Sequence, residues 1–351
     1  MVVASKNLER SGLMSGSDQA YVVGQIQPAL EEITISEFFA RTVSRYPDRE
    51  ACIFCQSGER WTWSQLSQKV DQLAAGLLAL GVYKGDRVGI WSPNKPEWVL
   101  AQFATARIGA ILVNINPAYR RAELKYALVK VGVKVLITAG SFKTSNYLEM
   151  LNDLIPELAT CRPERLSSPE FPLLRSIIQI GVASHSGMFC FQEIIEKGTT
   201  AYLARVDGIS RKLFLDESIN LQFTSGTTGA PKAATLTHKN IVNNARFVAG
   251  SMQLTQKDKL CIPVPLYHCF GMVLGNMACV AEGTTMVFPG EGFDPVDTLE
   301  ALNEERCTGV HGVPTMFSAM LNCTGFSQYD LRSLRTGIMA GAPCPIELMK
   351  D

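Results

Sequence analysis

At 351 residues the chain is long enough for two lobes and a sizeable core, and 46% hydrophobic against 19% charged residues marks a globular protein. Lys+Arg and Asp+Glu both number 33, so the balanced charge points to neither nucleic acid nor an anionic membrane surface as a partner. Ten cysteines, mostly within apolar segments of a chain too long to need staples, suggest reduced thiols in an intracellular setting.

Residues 1–27 are polar, lack the apolar core of a secretory signal and set Glu9 and Asp18 against Lys6 and Arg10. A frayed extension is expected there. Residues 33–46 have a helical face of Phe38, Phe39 and Val43, with Ser36 as the expected cap. Residues 51–54 and 61–63 form two short strands of a hairpin. Cys52 and Cys55 would point to opposite sheet faces, which favours packing over zinc or redox work. Residues 64–80 align Leu66, Val70, Leu73 and Leu77 on one helical face, and Gly81 ends the pattern.

Strand and helix then alternate through 87–91, 96–108, 110–114, 122–131 and 133–138, the signature of a parallel sheet with helices on both faces. Residues 141–158 continue helically, 160–172 form a surface loop, 176–180 a strand and 191–197 a short helix. Residues 201–215 are expected to be irregular. The boundary between two α/β lobes is placed near 215, giving lobes over 28–215 and 216–351.

Residues 219–223 are apolar at every second position and predict a half-buried strand. It enters Thr224-Ser225-Gly226-Thr227-Thr228-Gly229-Ala230-Pro231-Lys232, and a helix follows with Thr237 as N-cap and Ile241, Ala245, Val248 and Met252 on one face. Gly226 and Gly229 let the backbone approach a ligand, while backbone N–H groups, the hydroxyls and Lys232 can donate to anionic oxygens. The lysine spacing differs from the G-x-x-x-x-G-K-[ST] loop, and Ala233 follows it. Residues 260–280 are strongly apolar, but Pro263, Pro265, His268 and Asn276 interrupt them, which favours a buried loop and helix over a membrane span. Strands are expected at 259–264, 285–288, 309–313 and 334–340, and helices at 272–281 and 295–305. His238 is expected to be a solvated first-turn residue, and the four histidines show no metal-ligand spacing.

The nine-residue string at 224–232 resembles the phosphate loop of the adenylate-forming superfamily. Pro265-Leu266-Tyr267-His268-Cys269-Phe270-Gly271 resembles its histidine segment, residues 311–315 its acyl-pocket stretch, and Met339-Ala340-Gly341-Ala342-Pro343 its adenine-side turn, with Ala340 where glycine is usual. Together with Asn116-Pro117-Ala118-Tyr119, these features resemble the acyl-CoA synthetase branch, nearest the medium-chain and fatty acyl-CoA synthetases of the family-member-two type.

The resemblance implies two doubly wound lobes of such an enzyme's large N-terminal domain. It implies ATP-dependent activation of a fatty acid to acyl-AMP and then acyl-CoA, with Mg²⁺ and coenzyme A, in the mitochondrion or cytoplasm. Residues 224–232 would bind ATP, with the Thr224 hydroxyl near the metal. His268 would meet the carboxylate and α-phosphate, Gly341, Ala342 and Pro343 the adenine side, and Gly271, Gly275, Val313 and Thr315 would line the acyl pocket with His268. The family's Tyr-Gly-x-Thr-Glu and Thr-Gly-Asp strings and its C-terminal lysine domain are not found before Asp351, so a C-terminally truncated chain of little activity is expected. An adenylating enzyme with a non-CoA acceptor and an inactive nucleotide- or lipid-binding scaffold are the alternatives.

Overall fold

Alternate residues of the strands serve different cores, and that period of two organises the molecule. The computed structural model describes residues 27–181, 185–224 and 231–350. A seven-stranded sheet has the spatial order Lys232–Thr237, Ser218–Thr224, Ile111–Ile115, Arg87–Trp91, Val135–Thr138, Ser176–Gln179 and Phe189–Cys190. A six-stranded sheet has the order Thr336–Met339, Gly309–Gly312, Lys259–Cys261, Thr285–Phe288, Glu50–Phe54 and Glu59–Thr62. Within these two sheets, among the described residues, only the edge strands Lys232–Thr237 and Glu59–Thr62 run antiparallel to their neighbours.

One face of each sheet contributes to a shared central core. Val88, Ile90 and Leu112 come from the first sheet, and Cys52, Phe54, Leu260 and Met286 from the second. Helices Ile35–Arg45, Trp63–Ala79, Pro96–Ile108 and His238–Ser251 supply the same core. Pro96–Ile108 is buried around nearly its whole circumference, as a helix inside such a layer must be. The outer face of the first sheet packs Trp91, Val113 and Leu136 against Arg121–Val131 and Tyr147–Leu154. The outer face of the second packs Ile53, Cys261 and Val287 against Pro295–Glu304. This is the doubly wound α/β architecture expected. Cys52 and Cys55 fall in different cores, and all ten cysteines are free thiols.

Several local expectations change. Thr34, not Ser36, caps the first helix: its hydroxyl accepts from Glu37 N–H, and the Glu37 carboxylate accepts from Thr34 N–H. Ser36 instead lies 2.6 Å from the Ser210 hydroxyl. Residues 141–146 form a small hairpin before Tyr147–Leu154. Residues expected to be irregular contain the helix Thr200–Ser210, whose apolar signal is weak because only Val206 and Ser210 are buried. The lysine end of the nine-residue string starts a strand, Lys232–Thr237, before the helix. The apolar helix begins as a π-helix, Phe270–Met277, and continues as Ala278–Glu282.

Strand pairing does not divide at residue 215. Leu221 of the expected second lobe pairs with Val113, and Cys52 of the expected first lobe pairs with Met286. Each sheet is therefore assembled from both halves of the chain.

Candidate functional site

Thr224 and Lys232 face each other across an antiparallel pair, and the Thr224 hydroxyl donates to the Lys232 carbonyl at 3.5 Å. The string thus connects two paired strands, with both ends exposed at the same edge. Ser225, Gly226, Thr227, Thr228, Gly229 and Ala230 lie outside the described residues. The far end is pinned by Tyr126 Oη, which donates to the Pro231 carbonyl at 3.1 Å. Beside the near end, Tyr119 meets the Phe223 ring edge-on at 6.5 Å. Tyr119 ends a turn in which Asn116 Oδ1 accepts from Ala118 N–H and Tyr147 Oη donates to the Pro117 carbonyl.

The alternation at 219–223 implies solvated polar residues at 220 and 222, yet Asn220 and Gln222 are buried. The cause is a partner from another strand. Asn114 Nδ2 donates to Gln222 Oε1 at 3.1 Å, and Asn220 Nδ2 donates to Asn114 Oδ1 at 3.0 Å. A buried amide ladder thus runs along the face that carries Thr224, because residues 220, 222 and 224 share one side of a strand. At its upper end, Asn114 Nδ2 and Gln222 Nε2 both donate to the Tyr267 carbonyl, at 3.1 and 2.8 Å. Sequence reading missed this ladder, and a hydrogen-bonding residue at every second position of a strand between apolar ones was its only local trace.

The histidine segment is held elsewhere too. Asn94 Nδ2 donates to the Val264 carbonyl at 3.0 Å, and Asn94 Oδ1 accepts from Leu266 N–H at 2.8 Å. Pro265 is bracketed by one buried side chain. His268 itself is exposed, and its Nδ1 accepts from Phe270 N–H at 3.1 Å. A ring accepting at Nδ1 carries its neutral-state proton on Nε2 and presents Nε2–H as a donor. Partial burial of the ring lowers its pKa from the ordinary imidazole value, which favours that neutral donor.

Gly271 and Gly275 lie in the π-helix and are filled by packing. A Cβ at Gly271 would stand 2.4 Å from the Pro265 carbonyl oxygen, and one at Gly275 would stand 3.1 Å from Ile262. Phe270 packs against the His311 ring at 5.1 Å, and His311 Nε2 donates to the Leu274 carbonyl at 2.9 Å. His311 is fully buried and its pKa falls to about 4 by desolvation. Val313 follows His311 and Gly312. A Cβ at Gly341 would meet Val313 at 3.1 Å, and the positive φ of Gly341 (+85°) makes that turn. Ala342 and Pro343 are exposed beside it, and Thr315 is exposed on the helix Pro314–Leu321.

A continuous wall therefore runs from Gln222 through Tyr267, His268, Phe270 and His311 to Val313 and Gly341. The string's ends, the histidine segment and the residue 341 turn are connected, while Thr315 stands apart from the contacts named. His238, expected to be solvated, is fully buried, and its Nδ1 accepts from Ile35 N–H at 3.1 Å. The first helix lies on it, a contact across 203 residues that no local pattern announces. For a metal, the described residues offer no group of three or more His, Cys, Asp or Glu. The exposed Thr224 hydroxyl is a single oxygen, which suits a cation carried mainly by a ligand's own phosphates. Among the described residues no helix is long and apolar enough to cross a membrane.

Residues 39–351 match the family described as AMP-binding enzyme. The chain is 43% identical over 333 residues to the mitochondrial medium-chain acyl-CoA ligase ACSF2 of Danio rerio, covering 94% of this chain and 55% of that protein. It is 45% identical over 317 residues to the putative acyl-CoA synthetase YngI of Bacillus subtilis, covering 90% and 58% respectively. The chain thus spans a little over half the length of these relatives. The N-terminal domain of FACL13 from Mycobacterium tuberculosis superposes with a TM-score of 0.75 at 24% identity, covering 91% of this chain and 72% of that one. That likeness carries the fold.

Proposed function

Because the chain belongs to the AMP-binding enzyme family, we propose that its residues form the triphosphate and carboxylate subsites of a fatty acid–CoA ligase, with medium-chain acids as substrates. The observation that carries this reading is the pair of amide donors that meet at the Tyr267 carbonyl, Gln222 from the Thr224 strand and Asn114 from the strand beside it, which ties the string's anchor and His268 to one support.

In the first step a fatty carboxylate oxygen attacks the α-phosphorus of ATP. A carboxyl–phosphate bond forms and the bond to pyrophosphate breaks. Residues 224–232 bind the triphosphate, with Lys232 supplying a full positive charge and Thr224 a hydroxyl. His268 Nε2–H donates to oxygen at the carboxylate or α-phosphate, where negative charge concentrates. Desolvation lowers its pKa and so favours the neutral ring, whose Nε2–H can donate without the ring first gaining a proton. Magnesium, when bound with the nucleotide, would neutralise phosphate charge, and Thr224 is the described oxygen offered to it. In the second step the coenzyme A thiol displaces AMP from the acyl group. Gly341, Ala342 and Pro343 border the adenine, and Val313 lies between that turn and the acyl side. Gly271 and Gly275 act here through packing, shaping the helix behind His268.

The relatives named acyl-CoA ligase and acyl-CoA synthetase favour coenzyme A as the acceptor. The name of the Danio rerio relative also favours a mitochondrial setting over a cytoplasmic one. Since little turnover is expected of this chain, the test is a single-turnover incubation, with the chain at substrate concentration, of octanoate and ATP with and without coenzyme A, read by mass spectrometry. Octanoyl-AMP without coenzyme A and octanoyl-CoA with it support the reading. ATP binding with no acyl product supports a nucleotide-binding scaffold instead, and acyl-AMP without thioester supports another acceptor.

A further inference from the structure

We infer that Gln222 and Asn114 are positioning residues that fix His268 relative to the end of the triphosphate-binding strand, acting through the carbonyl of Tyr267. The inference deepens the proposed function and rests on its assignment of His268.

Four observations carry it. First, the Tyr267 carbonyl accepts from both Gln222 Nε2 and Asn114 Nδ2, so both oxygen lone pairs are engaged. Second, neither amide could release this carbonyl cheaply. Both side chains are buried, and a lost partner would leave a buried donor unsatisfied. Third, Gln222 lies two residues before Thr224 on the same strand face, so a displacement of the strand end is felt at residue 267. Fourth, the peptide that follows this carbonyl is the start of His268, whose ring is closed onto the next turn by Phe270 N–H. The carbonyl and the ring nitrogen together leave the His268 side chain little freedom. A hydrocarbon of similar length at 222 would fill the volume but supply no donor, so packing alone does not explain an amide there.

The two amides also form one proton-counted unit. Asn114 Nδ2 uses one hydrogen on Gln222 Oε1 and the other on Tyr267, and Asn114 Oδ1 accepts from Asn220. Register between strands Ile111–Ile115 and Ser218–Thr224 places residues 114 and 222 directly opposite. The support of His268 is therefore spread over two central strands of one sheet.

The test uses the whole 351-residue chain labelled with ¹⁵N-histidine. It has four histidines, and buried His238 and His311 serve as internal reporters of the fold. In the wild-type chain His268 should show an Nε2–H tautomer and titrate below the ordinary value of about 6.5. In Gln222→Met the His268 nitrogens should move toward tautomer averaging and its pKa toward that ordinary value, while His238 and His311 stay in place. Identical His268 nitrogen shifts and pKa in wild type and variant would overturn the proposal. Should the His238 and His311 signals collapse in Gln222→Met, Gln222→Asn decides by the same criteria, since it keeps an amide but is one methylene too short to reach Tyr267. Adding a non-hydrolysable octanoyl-adenylate analogue to the wild-type chain tests the functional assignment separately. No response at His268 there would sink the site reading and leave the positioning result standing.

Discussion

His238 Nδ1 accepts the backbone N–H of Ile35 at 3.1 Å, tying the first residue of one helix to the first residue of another. A helix's first N–H groups have no partner within the helix, so this ring satisfies a donor that would otherwise be buried unpaired. His238→Phe keeps the ring volume and removes the acceptor. It should destabilise the chain by about 1–3 kcal/mol, read from urea unfolding midpoints. A change below about 0.5 kcal/mol would show that the contact is incidental.

Burial holds both His238 and His311 at a pKa of about 4. The unfolded chain takes up these protons near 6.5 and the folded chain resists them down to about 4, so stability is complete above 6.5 and falls as pH drops through that window. Between pH 7.5 and 5.5 the loss should be about 1.4 kcal/mol per histidine, and His238→Phe should remove about half of it. Urea unfolding at the two pH values measures this, and a flat profile would contradict the buried neutral rings.

The fold's local rhythm was legible and its long-range pairings were not. Strands and helices from Arg87 to Thr138 emerged because each carries its own period, and Thr237 announced its helix through capping chemistry. The burial of Asn220 and Gln222 was hidden because the partner amide, Asn114, sits on a strand over a hundred residues earlier. The strand Lys232–Thr237 was missed because an exposed edge strand shows no apolar alternation. The six-stranded sheet joins Glu50–Phe54 to Thr285–Phe288, a parallel pairing with no sequence-local mark. Of the candidate site, the residue types were legible, whereas the connection from Gln222 through His268 to Val313 exists only in the folded chain.

Gly271→Ala would drive a Cβ to 2.4 Å from backbone oxygen, which cannot give way as a side chain can. It should cost about 1–3 kcal/mol and displace the segment that carries His268. Gly275→Ala meets only the Ile262 side chain at 3.1 Å and should cost less. Thermal unfolding of both variants checks the order, and equal stability would argue that residue 271 faces open space.

Lys232→Ala should weaken ATP binding by about ten- to a hundredfold, the range for losing one charge-assisted hydrogen-bonding group. Isothermal calorimetry with ATP reads it. Unchanged affinity would detach the lysine from the triphosphate.

The most direct measurement is a crystal structure of the chain with a non-hydrolysable octanoyl-adenylate analogue and pyrophosphate. The acyl–phosphate junction should lie beside His268 Nε2, the pyrophosphate against residues 224–232 and the adenine against Gly341. Ligand bound away from His268, or pyrophosphate away from Lys232, would contradict these assignments.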